Sequence, residues 1–192
     1  MTRTFLTLAV LILLLFAATI GAGFTAFSLD GSELKLDAFI VHFYLGLGTV
    51  LVVLLVHSLI FTYFLGTGRW VKEVGIAYQL PDKPYPKLTR ELKRQTFPPA
   101  LFAMLSAIAA AAAGAGTQLQ SWPWYLHALL ALFTVTVNLW AFIIEFRNVR
   151  INAGVIQSVL EEVDRIRGEQ GLSSNAEALL QEAQLDTRRP LV

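Results

Sequence analysis

VHFYLGLGTVLVVLLVHSLIFTYFLGTGRW, Val41 to Trp70, decides how this chain is read, because it is apolar over a membrane's width yet carries two of only three histidines. A histidine inside a span costs free energy, so His42 and His57 need a reason to be there. The third, His127, opens a later apolar stretch, LHALLALFTVTVNLW. Aligned on their histidines, HFYLGLGTVLVVLL and HALLALFTVTVNLW share His, two Leu, Thr, two Val and a further Leu in one register.

Working outward, the composition sets the class. The 192 residues are 55% hydrophobic and 15% charged, too few charges to solvate a globular surface, so an integral membrane protein is expected. The net charge of +1 says little, because the charges are segregated along the chain. With no cysteine, disulfides, thiolate nucleophiles, iron–sulfur clusters and cysteine-attached haem are excluded. No nucleophile, base and orienter set points to a hydrolase, whether the chain is an enzyme stays open, and nothing suggests nucleic-acid binding.

Four spans follow, at about residues 5–27, 38–65, 98–116 and 122–146, within a transmembrane domain of residues 1–146. The short basic start, the LILLLF core and small residues near Ala22 also fit a signal peptide, but a retained helix is the expectation. Residues 66–95 form a loop in which Arg69, Lys72, Lys83, Lys87, Arg90, Lys93 and Arg94 outnumber Glu73, Asp82 and Glu91. The positive-inside rule makes that loop cytoplasmic, with anionic lipid the expected contact of KLTRELKR. Both termini are then cytoplasmic, in a membrane of the bacterial inner type.

Local signals refine the ends. Gly66 to Gly68 read as a helix end, LPDKPYP as a non-helical crossing, and Pro98 with Pro99 as the first turn of the third span. The AAAAAGAG run of that span offers a small-residue face for close helix packing. Residues 147–192 are too polar to span. Val155, Val159, Val163 and Ile166 recur at helical spacing, so this cytoplasmic tail continues the fourth helix and docks on something. Gly168 and Gly171 end it, Ser174 with Glu177 caps one more short helix, and DTRRPLV is expected to fray.

The repeat extends to the preceding helices, where RTF at Arg3 matches RQTF at Arg94 and GAG at Gly21 matches GAG at Gly114. The expected fold is therefore an all-α membrane protein: a four-transmembrane-helix bundle built from two similar helical hairpins, with a cytoplasmic C-terminal helical tail. Both hairpins start inside, which makes the repeat a parallel one with equivalent residues at equal depth. At 1.5 Å per residue, His42 and His127 both fall roughly 12 to 15 Å from the membrane centre, in the outer leaflet.

Faces matter as much as depth. His42, Gly46, Thr49 and Val53 form one stripe of the second span, and His127, Ala131, Thr134, Asn138, Ala141 and Glu145 form one stripe of the fourth. Two histidines on facing helices, with Gly46 and Ala131 leaving room for a flat macrocycle, suit a b-type haem whose iron takes both imidazoles. Such an arrangement resembles the general architecture of four-helix membrane cytochromes, which implies a small redox subunit. A bare metal ion, a quinone, or interfacial histidines that merely snorkel to headgroups fit the same pair.

Secondary candidates are His57, Asn138 and Met104. His57 is expected to hydrogen-bond to Asn138 or a backbone carbonyl, since the fourth span has Phe142 where a second ligand would stand. Met104 is a thioether candidate at a similar depth. Glu145 reads as a solvated anchor beside Arg147, with a proton-path role only if it meets a partner such as His57. The rival to a redox subunit is a non-catalytic scaffold, assembling with itself or with a larger membrane complex through its small-residue helices and its tail.

Overall fold

The computed structural model describes residues 1–187. All regular structure among them is helical: α1 (Thr2–Ser28), α2 (Lys35–Ala77), α3 (Tyr85–Gln118), α4 (Trp124–Glu169) and α5 (Asn175–Thr187). The first four are long and apolar enough to cross a membrane. Consecutive helices pack along one another, α1 on α2, α2 on α3 and α3 on α4, and α4 closes back on α1.

The bundle is apolar outside and mixed inside. Leu14, Leu51, Leu129, Leu132 and Ile143 are exposed, whereas Thr49, His57, Thr134, Asn138, Glu145, Asn148 and Asn152 are buried. Water would reverse that distribution. Small residues set the tightest contact. Ala100, Ala103, Ala107, Ala110 and Ala113 form the buried stripe of α3, and Thr134 Oγ1 of α4 donates to Ser106 O of α3 at 2.9 Å.

Buried positions recur at a fixed offset. Phe5, Ala9, Ile12 and Phe16 of α1 stand 91 residues before Thr96, Ala100, Ala103 and Ala107 of α3, all buried. Thr49, Val53, Val56, Ile60 and Phe64 of α2 stand 85 before Thr134, Asn138, Ala141, Glu145 and Val149 of α4, again all buried.

Several sequence expectations are corrected. The stretch 66–95 is not one loop, since α2 runs to Ala77, α3 starts at Tyr85, and only residues 78–84 connect them. Gly66 and Gly68 lie within α2 and do not end it. Two helical glycines cost about 1 kcal/mol each, but the helix beyond them gains a packed surface. There Val71 is buried with Val155, Val159 and Val163, flanked by Trp70, Val74 and Tyr78. Tyr85 and Leu88 pack on the same cluster, so α3 begins early and Pro98 and Pro99 are interior to it rather than its first turn.

The tail follows expectation more closely. α4 is continuous from the bundle through Glu169, and the valine stripe docks on α2 of the same chain. Gly171 takes a φ of 71° just past its end, where glycine is favoured. Ser174 and Glu177 exchange reciprocal hydrogen bonds of 3.0 and 3.3 Å that cap α5, and Asp164 Oδ1 accepts from Asn175 N at 2.8 Å. Of the expected frayed end, residues 188–192 lie outside the described residues.

Candidate functional site: two facing histidines and a buried carboxylate pair

His42 sits in the second turn of α2 and His127 in the first turn of α4, at the end of the bundle that carries links 29–34 and 119–123. Both rings point inward and meet with centroids 6.0 Å apart and planes at 73°. Two imidazoles sharing one ion through Nε2 at ~2.0 Å, each ring centre roughly 1 Å behind its nitrogen, would have centres about 6 Å apart.

The two rings are held alike. His42 Nδ1–H donates to Thr19 O of α1 at 3.0 Å, and His127 Nδ1–H donates to Ala110 O of α3 at 3.0 Å. A backbone carbonyl can only accept, so each neutral ring keeps its proton on Nδ1 and leaves the Nε2 lone pair for a ligand. A glycine backs each ring. A Cβ on Gly23 would come within 2.8 Å of His42 Cε1, and one on Gly114 within 3.0 Å of His127 Cε1. Thr19 and Ala110, like Gly23 and Gly114, are 91 residues apart, so Gly114 matches Gly23 and not Gly21, correcting the GAG alignment by two residues. Gly21 has open space around it.

The other residues named from sequence fall out differently. Gly46 lies one turn beyond His42 but faces Thr19 of α1, its Cβ position 3.7 Å from the Thr19 methyl, so it serves the α1–α2 contact. Ala131 is half-buried one turn beyond His127. Lys35, which opens α2 at this end, is paired with Asp30, and that hydrogen bond and charge hold the Asp30 carboxyl below the usual carboxylate range.

His57 and Glu145 form a second centre toward the other end, and both are fully buried. His57 Nδ1 lies 2.7 Å from Glu145 Oε1, and Nε2–H donates to Asn138 Oδ1 at 3.1 Å. Asn138 Nδ2 in turn donates to Thr134 O at 2.9 Å. Phe142 stacks on the ring at 5.5 Å and 15°. The Asn138 expectation for His57 is met, while the reading of Glu145 as a solvated partner of Arg147 is not. Arg147 instead donates to Gln95 Oε1 at 3.3 Å and Asn148 Oδ1 at 3.4 Å. Met104 is buried on α3, but both ring nitrogens of His57, the histidine it was considered with, are already engaged.

Sequence reasoning missed the backing role of Gly23 and the Thr19 and Ala110 carbonyls, and it raised the His57–Glu145 contact only as a condition for a proton path. The last was detectable as a coincidence of depth, because 57 plus the repeat offset of 85 is 142, one turn short of 145. Comparison with known protein families, curated proteins and solved structures finds no match.

Proposed function

We propose that the chain is an integral membrane redox subunit, two copies of one helical hairpin related by an axis along the membrane normal, holding a single b-type haem between His42 and His127. The observation that carries this reading is the 6.0 Å approach of two imidazoles whose Nδ1 atoms are both committed to backbone carbonyls. A haem would supply one-electron exchange, with its potential set by axial ligands and burial.

The donor set favours haem over a bare ion. Among the described residues no group of three or more His, Cys, Asp or Glu comes together. A zinc-type site needs three or four protein ligands, whereas a haem brings its own equatorial nitrogens and asks only for two axial ones. In this reading Thr19 and Ala110 orient the imidazoles, and Gly23 and Gly114 let the rings lie against the outer helices. The basic segment from Lys83 to Arg94 faces the cytoplasm, and both termini lie on that side.

The scaffold reading loses its main device. The valine stripe of the tail is buried against α2 of its own chain, so it is not a free surface for assembly. A homo-oligomer or a larger membrane complex remains compatible through the lipid-facing sides, which are exposed along all four long helices.

The test is an absorption spectrum. Protein purified from haem-supplied cells should show a Soret band that shifts on dithionite reduction and is lost in both His42→Ala and His127→Ala. Colourless wild-type protein, or a band indifferent to both substitutions, would overturn the proposal.

A further inference from the structure

The redox reading leaves unused a line of buried polar side chains along α4. Thr134, Asn138, Glu145, Asn148 and Asn152 stand at spacings of four, seven, three and four, all on the interior stripe. In an apolar bundle each such group is costly unless paired. Asn148 Nδ2 donates to Thr96 Oγ1 at 2.9 Å and Asn152 Nδ2 to Thr67 Oγ1 at 3.0 Å. Among the described residues, two acceptor oxygens on this line have no protein partner, Glu145 Oε2 and Asn152 Oδ1.

Counting protons at His57 narrows what the line can do. Asn138 Nδ2 donates to Thr134 O, which turns the amide oxygen toward His57 Nε2, and that nitrogen must then carry a proton. The 2.7 Å contact between Nδ1 and Glu145 Oε1 then contains one proton or none. With one, the pair is neutral overall, whether written as imidazolium with carboxylate or as imidazole with carboxylic acid. With none, two acceptors face each other and an uncompensated negative charge is buried. The pair therefore binds one proton by its construction.

The access side is also marked. Thr67 lies with Thr4 and Tyr63 at the polar edge of a groove of about 530 Å³ between α1 and α2, whose remaining wall is largely apolar (Phe5, Leu8, Leu59, Ile60), at the end of the bundle away from His42. Beyond the Thr67–Asn152 hydrogen bond, Asn148 and Glu145 follow at four and three residues along the same buried stripe of α4. The other helices present Phe5, Ala9 and Ile12 of α1, Thr96 and Ala100 of α3, and Val53, Val56 and Ile60 of α2 to this layer, none of them ionisable. Ionisable groups near this stripe include Tyr63 and the amino group of Met1 at the groove and Arg147 beside Asn148.

We propose that Glu145 and His57 form a proton-binding site, loaded through Glu145 Oε2 from the end of the bundle where Asn152 and Thr67 meet the groove. The step is a simple association: the Nε2-protonated imidazole and the carboxylate take one proton from the aqueous phase, forming one N–H or O–H bond and breaking none within the protein. It stands independently of any haem.

Nitrogen NMR of the full chain in lipid bilayers, with ¹⁵N-histidine, tests it directly. Three histidines give six ring-nitrogen signals, and loss of one set in His57→Gln assigns His57. The expected result is a His57 Nδ1 signal that moves as pH is varied across the range in which the protein stays folded and stops moving in Glu145→Gln. Unchanged His42 and His127 signals show that the variant is folded, and Glu145→Asp, which keeps the carboxylate, should restore the movement. In Asn152→Leu the proton exchange rate should fall at least tenfold. A His57 signal that is constant over that range, or that moves equally in Glu145→Gln, overturns the site. An exchange rate unaffected by Asn152→Leu overturns the route.

Discussion

Phe142 lies flat on the imidazole of His57, the planes 15° from parallel and the centroids 5.5 Å apart, and it stands where the repeat would put a second histidine. α2 thus carries a histidine and α4 the aromatic lid that covers it. Phe5 of α1 meets the same ring edge-on at 6.1 Å, so the lid is itself held from behind.

Phe142→Ala should therefore cost about 3–5 kcal/mol, the usual range for removing a buried phenylalanine, and Phe142→Leu clearly less. Reversible unfolding in mixed lipid–detergent micelles measures both. A penalty for Phe142→Ala within about 1 kcal/mol of zero would mean that the ring does not seal the pair.

The glycines behind the paired imidazoles predict a position-specific effect. Gly23→Ala and Gly114→Ala force a methyl into a ring edge that the Thr19 and Ala110 carbonyls hold in place. Overpacking of this kind costs about 1–3 kcal/mol, and displaced imidazoles should reduce haem occupancy per chain. Gly21→Ala, in open space, is the control and should leave the pyridine haemochrome ratio unchanged. Equal loss in all three variants would detach the glycines from the histidines.

Much of this is legible in the sequence. Hydropathy and the uncharged stretch from Gln95 to Ile144 sufficed for four helices, and the shared His–Thr–Val register pointed to the His42–His127 pair. Helix ends were less legible, because Gly66, Gly68, Pro98 and Pro99 carry local signals for a break. Contacts distant in sequence, such as Val71 with Val159, outweigh them. Glu145 was misread for a related reason: one turn of helix separates a solvated carboxylate from a buried one, and only the rotation of α4 against α2 decides which it is.

A double-mutant cycle should expose the coupling of the buried pair. His57→Leu alone leaves a carboxylate without its partner, and Glu145→Leu alone strands the imidazole; each should cost about 3–5 kcal/mol. The double variant should cost less than the sum, because two apolar side chains restore compatibility with the interior. Additive losses in the same unfolding measurement would show that the two residues do not act as one unit.

The exposed pairs should behave in the opposite way. Arg165 hydrogen-bonds Glu162 and holds its carboxyl below the usual range, as Lys35 does for Asp30. A depressed carboxylate adds stability above its unfolded pKa and loses it as pH falls through the folded value. Both sites are open to water, where screening leaves such pairs little weight. Asp30→Asn and Glu162→Gln should leave the acid unfolding midpoint unchanged, and a shift in either would assign these surface pairs a role their exposure argues against.

The docked tail and the paired histidines should fail separately. Val159 is fully buried between Val71, Val155 and Val163, and it lies 32 residues beyond His127 on the same helix, about 48 Å at 1.5 Å per residue. Val159→Asp places a charge in that seam and should release the end of α4 from α2. Arg167, which now donates to Ser173 O at 2.8 Å and to the Tyr78 hydroxyl at 3.4 Å, would then be open to trypsin. Limited proteolysis should show faster cleavage there by at least tenfold, while the Soret band proposed for the His42–His127 site stays as in the wild type. Loss of both together would mean that the seam supports the whole bundle, and the two ends could no longer be treated as independent units.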